Sequence, residues 1–369
     1  MPDVLKAWLD PATWMPFTRE ADPAAAEAAL SSETPHEREL AVLLSPAASP
    51  LLEAMAERAQ ELTRHHFGRT ISLYVPLYLS DYCSSGCVYC GFASDRQQPR
   101  HRLEKVELLS ELDAIRDLGF EEILLLTGER TPEADFGYLR DAVAEAALRF
   151  HAVTVEAFPM STDEYRQLAD AGCIGVTLYQ ETYDSVQYEK LHRWGPKRDY
   201  VARLDAPDDI LSAGMRQAGL GTLLGISEPL FDLLCLYRHV MHLRRNYWQA
   251  GITVSFPRVC PQIGDYTAPH PVSERFLAQA IYAFRICLPD VPLVLSTRES
   301  PRFRDGMAGV GICKMSIASR TTVGGYEAHA PSPDGQFHVN DDRDVAAFCA
   351  ALRQTGLEPV FKNWDRVYR

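Results

Sequence analysis

The sequence predicts an α/β fold: a closed (β/α)8 barrel with an N-terminal helical cap and a C-terminal extension. Two observations point to it. From Ile71 onward, eight short apolar runs alternate with longer amphipathic stretches, the pattern of repeated βα units around a parallel sheet. The chain, at 369 residues, is also long for a single sandwich and ordinary for a barrel with added cap elements.

Residues 1–67 are rich in Ala and Glu, with helical spacing in Glu37-Arg-Glu-Leu-Ala-Val-Leu-Leu44 and Leu51-Leu-Glu-Ala-Met-Ala-Glu-Arg58. They are expected to form a helical cap closing one end of the barrel. Residues 68–330 carry the barrel, with strands near 71–79, 122–127, 153–158, 174–179, 219–225, 252–256, 293–297 and 311–316 and helices between them. Residues 331–369 are expected to pack on it as a C-terminal segment. No low-complexity linker or longer repeat interrupts this order, which argues against a second independent domain.

Composition excludes several function classes. No apolar run of about 18 residues occurs, and the start, Met1-Pro-Asp-Val-Leu-Lys6, lacks a basic stretch followed by an apolar one. A cytoplasmic protein is expected. Asp and Glu number 50 against 37 Lys and Arg, leaving a net charge of −13 that would repel a phosphate backbone, so nucleic acid is not an expected partner. Nine cysteines, an odd number, with three crowded together, do not read as a secreted disulfide framework.

In such a barrel, chemistry sits on the loops after the carboxyl ends of the strands. The polar clusters fall there: Thr127-Gly-Glu-Arg130, Tyr179-Gln-Glu-Thr-Tyr183, Gly225-Ile-Ser-Glu228, Arg258 and Ser296-Thr-Arg-Glu-Ser300. The loop after the first strand carries Cys83, Cys87 and Cys90 with C-x3-C-x2-C spacing. Three thiolates on one short loop can hold three corners of a four-iron cluster and leave the fourth iron open to a substrate. A zinc site, which wants four ligands, or a chance cluster of buried thiols is the alternative. Gly86 and Gly91 are expected to let this loop turn tightly. The other cysteines, at 173, 235, 260, 287, 313 and 349, have no C-x2-C spacing and read as small buried hydrophobes, and the scattered histidines read as core or surface residues.

The cysteine spacing, with Tyr89 before the last Cys and Gly91-Phe92 after it, resembles the radical S-adenosylmethionine (SAM) signature. More of the chain resembles one family. Leu73-Tyr-Val-Pro-Leu-Tyr-Leu-Ser80, Leu124-Leu-Leu-Thr-Gly-Glu129, Tyr179-Gln-Glu-Thr-Tyr183, Val254-Ser-Phe-Pro-Arg258, Ser296-Thr-Arg-Glu-Ser-Pro301, the cap segment Leu43 to Ser49 and the tail Phe361-Lys-Asn-Trp-Asp365 are similar to the radical SAM 2-iminoacetate synthases (ThiH), the tyrosine lyases of bacterial thiazole biosynthesis. The first 30 or so residues match poorly.

That resemblance implies one oxygen-labile 4Fe-4S cluster on Cys83, Cys87 and Cys90, with SAM on its open iron. It implies reductive cleavage of SAM, hydrogen abstraction from L-tyrosine, and breakage of the Cα–Cβ bond to 2-iminoacetate (dehydroglycine) and p-cresol. It places Gly128 and Glu129 at the SAM amino group, where the alternative is a helix N-terminal environment. Glu181, Gly219 and Gly221 become candidates for the ribose and adenine sides, the glycines letting a flat ring approach the backbone. Arg298 can grip an amino-acid carboxylate in bidentate fashion, unless it merely pairs with Glu299 or Asp305. Ser316 and Tyr78 are carried over beside it from related aromatic amino-acid lyases. The implied partners are L-tyrosine, the thiazole synthase (ThiG) and a flavodoxin- or ferredoxin-type reductant. The rival readings are a tyrosine lyase of hydrogenase maturation, a tryptophan lyase, and a non-catalytic iron–sulfur or zinc protein. The maturation lyases carry a second cluster on C-terminal cysteines, whereas the only cysteine after Cys313 here is Cys349.

The three-thiolate reading predicts about four irons per reconstituted chain. Replacing any one of the three cysteines with Ala should abolish SAM cleavage while the barrel still folds. About eight irons per chain, or full activity in Cys87→Ala, would contradict it.

Overall fold

The computed structural model describes residues 6–327 and 335–362. Four helices come first: α1 (Phe17–Glu20), α2 (Pro23–Leu30), α3 (Glu37–Leu43) and α4 (Leu52–Phe67). The barrel then runs β1 (Thr70–Tyr78), α5 (Lys105–Asp117), β2 (Glu122–Leu126), α6 (Phe136–Ala147), β3 (Ala152–Glu156), α7 (Thr162–Asp170), β4 (Cys173–Thr177), α8 (Ser185–Leu191), α9 (Tyr200–Ser212), β5 (Gln217–Gly221), α10 (Pro229–Asn246), β6 (Gly251–Ser255), α11 (Glu274–Cys287), β7 (Leu293–Leu295), α12 (Pro301–Met307) and β8 (Lys314–Ser316). Helix α13 (Val345–Gln354) and strand β9 (Glu358–Val360) follow.

The eight expected strands are all present, within a few residues of their expected bounds. Their apolar runs are buried on both faces, as parallel strands covered by helices require; Ile123-Leu-Leu-Leu126 is an example. Each strand pairs in parallel with the next, and β1 pairs with both β2 (Val75 opposite Ile123) and β8 (Leu73 opposite Met315), so the sheet closes. Helix starts are set by side-chain caps: Asp135, Ser161, Asp199, Ser273 and Asp344 each accept the backbone N–H three residues on.

Strand β9 was not expected. It pairs with the start of β1, Thr70 opposite Glu358, while β2 pairs with the end of β1. Since β8 lies on the other edge, β9 fills the gap where β1 and β2 splay apart, and Phe361 packs edge-on against Phe120 at the entry to β2. The expected tail continues beyond this point, but residues 363–365 lie outside the described residues.

The N-terminal helices pack on the side of the barrel more than on its end. Helices α3 and α4 lie against α11, which is therefore buried around its circumference from Leu277 to Cys287. Gln279 of α11 donates to the carbonyls of Leu43 (2.9 Å) and Ser45 (2.8 Å). Only the end of α4 reaches the lower rim, where the Thr63 hydroxyl accepts from the Gly311 amide and Phe67 lies under the Arg285 guanidinium.

Arg285 is fully buried and donates to the carbonyls of Gly311 (2.7 and 3.0 Å), Pro289 (2.9 Å) and Val291 (2.9 Å). Burial pulls its pKa down from the usual guanidinium value. Arg285→Met should leave these carbonyls without donors and cost about 3 kcal/mol. The urea unfolding midpoint checks this, and an unchanged midpoint would contradict it.

Candidate functional site

The loop after β1 is closed on itself before it meets anything else. Ser80 bridges to Arg102, the His101 amide donates to Asp81 (2.7 Å), and the Arg100 guanidinium donates to the carbonyls of Asp81 (2.7 Å), Phe92 (3.1 Å) and Ala93 (2.6 Å). Cys83, Cys87 and Cys90 are presented from this knot to one cavity. Among the described residues, no three Cys, His, Asp or Glu side chains converge as a single metal ion would need. The thiols instead line a shared wall, an arrangement suited to a cluster rather than one ion.

Backbone and amide donors already face these sulfurs. The Glu129 amide lies 3.4 Å from Cys83 Sγ, the Phe92 amide 3.4 Å from Cys90 Sγ, and the Gln336 side-chain amide 3.8 Å from Cys90 Sγ. Such N–H groups stabilise thiolates and tune iron–sulfur clusters. Burial pushes the Cys83 thiol up to about 11 and the Cys87 thiol higher still, so cluster assembly must displace their protons.

The loop glycines serve a different purpose from the one expected. Neither Gly86 nor Gly91 has a positive φ; each is required by close approach. A Cβ on Gly86 would enter the Trp194 indole, and one on Gly91 would lie 2.7 Å from the Gly335 carbonyl oxygen. Gly128 follows the same rule: its Cβ would lie 2.7 Å from the Cys83 Cβ, so only glycine lets the loop after β2 back the cysteine loop.

The thiol cavity, open to solvent, also takes in Glu129, Glu156, Glu181, Lys197, Arg203 and Arg298. Glu129 is buried and is no helix cap, since Asp135 caps the helix that follows. One of its oxygens accepts from Arg203 Nη1 (3.0 Å); the other, Oε2, is buried without a partner among the described residues. Glu181 has a positive φ of 70°, with its carbonyl held by the Thr222 hydroxyl (2.6 Å) and the Leu223 amide (2.8 Å). Its carboxylate pairs with Lys197 (2.7 Å) and lies 3.9 Å from Arg203. Burial alone would raise its pKa, but Lys197 and Arg203 bring it below the usual carboxylate value.

A second cavity, lined in part by mid-strand residues such as Tyr74 and Leu124 and so lying deeper in the barrel, shares lining residues with the first. It brings together Tyr78, Arg298 and Ser316, which come from the ends of β1, β7 and β8. Arg298 has no carboxylate partner among the described residues: Glu299 pairs with Arg258 (2.9 Å) and Asp305 with Arg343 (2.9 Å). Its guanidinium stacks 3.4 Å from the Phe337 ring centroid and spends one long hydrogen bond (3.4 Å) on the Arg258 carbonyl, leaving most donors free. Arg258, the other arginine near this mouth, is committed to Glu299. Ser316 is buried and its carbonyl accepts from Arg304, while the Tyr78 hydroxyl donates to Gln336 (2.7 Å).

Gly219 and Gly221 are not brought to the thiol cavity. A Cβ on Gly219 would overlap the Thr177 hydroxyl, and one on Gly221 would lie 2.7 Å from the Tyr179 ring, so both make room for side chains inside the barrel. Several site residues lay outside the expected set: Glu156, Lys197, Arg203, Gln336 and Phe337. Glu156 carried a signal, an acidic residue ending the apolar run of the third strand. Lys197 and Arg203 carried none, because they reach the cavity from a turn and the side of α9.

Residues 77–233 match the family model of the radical SAM superfamily, and residues 255–358 match the biotin and thiamin synthesis associated domain. The chain is 41% identical over 92% of its length to 2-iminoacetate synthase of Escherichia coli K12, covering 90% of that protein, and equally so to the enzyme of Salmonella typhimurium. In structure it is similar to a crystal structure of HydG, a maturase of the FeFe-hydrogenase, with a TM-score of 0.90 and 27% identity over 97% of this chain and 81% of that one. Methylornithine synthase (PylB), at a TM-score of 0.71 and 19% identity over 91% of this chain and 97% of that one, shares the fold.

The unpartnered Glu129 oxygen predicts that Glu129→Gln weakens SAM binding more than tyrosine binding, since the amide keeps the shape and removes the charge. Calorimetric titration of both ligands checks this. An unchanged SAM affinity would contradict it.

Proposed function

We propose a function on one premise: the chain belongs to the 2-iminoacetate synthases of the radical SAM superfamily. It is a carbon–carbon lyase that breaks the Cα–Cβ bond of L-tyrosine to give 2-iminoacetate and p-cresol, for the thiazole of thiamine. The observation that carries this reading is the convergence of Tyr78, Arg298 and Ser316 on a cavity that opens, past Arg298, into the cavity of the three thiols.

The residues fit the groups this chemistry needs. Cys83, Cys87 and Cys90 supply three sulfur ligands backed by N–H donors, and Glu129 supplies one buried acceptor oxygen, Oε2, with no partner among the described residues. When bound, the 4Fe-4S cluster and SAM supply the one-electron cleavage that generates the hydrogen-abstracting species. Glu129 Oε2, buried and unpartnered among the described residues, would accept from the ammonium of the methionyl part of SAM. The Glu181–Lys197 pair forms the wall assigned to the ribose. Arg298 offers the fork of donors that a planar carboxylate requires, with Ser316 beside it to add a hydroxyl. Tyr78 and the deeper cavity walls would surround the aromatic part of tyrosine.

The handover of 2-iminoacetate to the thiazole synthase (ThiG) and electron delivery by a flavodoxin- or ferredoxin-type protein belong to the same proposal, because a hydrolysable product benefits from short transfer. So does a cytoplasmic location: no single helix among the described residues is long and apolar enough to cross a membrane, and all nine cysteines are free, as a reducing compartment keeps them. We treat residues 1–67, 68–330 and 331–369 as cap, barrel and packed C-terminal segment of one unit. The 41% identity to 2-iminoacetate synthases favours this reading over a hydrogenase maturase, at 27%.

Anaerobic turnover with tyrosine should give p-cresol, and with tryptophan no indole product. Misplacing the reacting carbon by about 1 Å costs on the order of a hundredfold in rate. Arg298→Lys should therefore raise the tyrosine requirement and the ratio of 5′-deoxyadenosine to p-cresol, with Ser316→Ala doing so more mildly. Parental tyrosine dependence and coupling in Arg298→Lys would contradict this assignment.

A further inference from the structure

An α-amino acid held by its carboxylate presents its ammonium group one carbon away, so the residue that receives the ammonium must line the same stretch of cavity as Arg298. The residues common to the thiol cavity and the deeper cavity are Glu156, Tyr179, Pro257, Arg298, Gln336 and Phe337. Glu156 is the one anion among them. Gln336 is already engaged, its side-chain oxygen by the Tyr78 hydroxyl and its amide by Cys90 Sγ.

Glu156 ends β3, is half-buried, and lines both cavities. Among the described residues its carboxylate has no hydrogen-bond or ion-pair partner. Two of its cationic neighbours are occupied elsewhere, Lys197 by Glu181 and Arg203 by Glu129, and the third, Arg298, lies against Phe337 and makes no ion pair with Glu156. A partly desolvated carboxylate that lines a cavity without a partner is a candidate for completion by a ligand. Burial, with Glu181 adding to it and Arg298 opposing, pushes the Glu156 carboxyl up to about 7, as expected of an acid that lacks its counter-charge.

We propose that Glu156 is the residue that binds the amino group of the substrate, so that Arg298 and Glu156 grip the two charged ends of one amino acid across the junction of the two cavities. Two charged contacts fix the substrate's α-carbon in position and orientation, where one would let it swing. They also make the site select α-amino acids over phenolic acids of the same size. The assignment rests on the tyrosine-lyase reading and names the half of the substrate grip which that reading leaves open.

The test is equilibrium binding, by anaerobic calorimetry on the reconstituted enzyme with SAM present, of L-tyrosine and of its desamino analogue 3-(4-hydroxyphenyl)propanoate. Glu156→Gln should lose about tenfold in affinity for tyrosine and stay within about twofold for the desamino acid, because only the amino contact is removed. Arg298→Lys should weaken both ligands, and Glu156→Asp, which keeps the charge, should retain part of the preference for tyrosine. SAM affinity should be unchanged in Glu156→Gln. Equal losses for both phenolic ligands, unchanged tyrosine affinity, or a loss confined to SAM would overturn this assignment while leaving the lyase reading intact. Parental enzyme that binds neither phenolic ligand would overturn both.

Discussion

The pairing of β1 with β8, Leu73 opposite Met315, closes the sheet, and the site is assembled by that closure. The cysteine loop leaves the end of β1, whereas Arg298 and Ser316 come from β7 and β8, more than two hundred residues later in the chain. Without the closing register these groups would sit on opposite edges of an open sheet. With it, Tyr78 at the end of β1 shares a cavity with Ser316 and Arg298, and the thiols lie in the adjoining space. Strand β9 reinforces the same joint from below, taking up the part of β1 that β2 leaves unpaired.

Charge balance is the second constraint. The thiol cavity holds Glu129, Arg203, Glu181 and Lys197 in a chain of buried partners, anion to cation at each step. The pairs offset the desolvation each ion would face alone, and Lys197 stays protonated although burial works against it. What the chain leaves over is informative: one oxygen of Glu129 and the whole carboxylate of Glu156 on the acidic side, and the forked donors of Arg298 on the basic side. A zwitterionic amino acid and the methionyl end of SAM carry the complementary charges, which is why these groups are the ones proposed to receive them.

The parts of this arrangement visible in the sequence are those encoded by local pattern. Apolar runs of five or so residues marked the barrel strands because a parallel strand buried on both faces must be apolar throughout. Polar residues just after those runs, Glu129, Glu181 and Arg298 among them, could be placed at one mouth because barrel topology dictates it. Strand β9 escaped because Glu358-Pro-Val360 is too short to show a period and contains a proline. Lys197 and Arg203 escaped because their roles depend on the path of the chain between β4 and β5. The glycines were misread for a related reason: Gly86, Gly91, Gly219 and Gly221 look alike in a sequence, and only packing against Trp194, the Gly335 backbone, Thr177 and Tyr179 shows that each is there to admit a neighbour.

In the proposed binding mode the amino-acid end of tyrosine, gripped at the junction of the two cavities, faces the thiol cavity while the ring lies deeper. Mass spectrometry of 5′-deoxyadenosine formed from specifically deuterated tyrosines tests it most directly. Deuterium should reach 5′-deoxyadenosine from the amino-acid end, either from Cα or, in D2O, from the exchangeable amino position. Deuterium arriving instead from the ring or the β-carbon would show that the substrate lies the other way round.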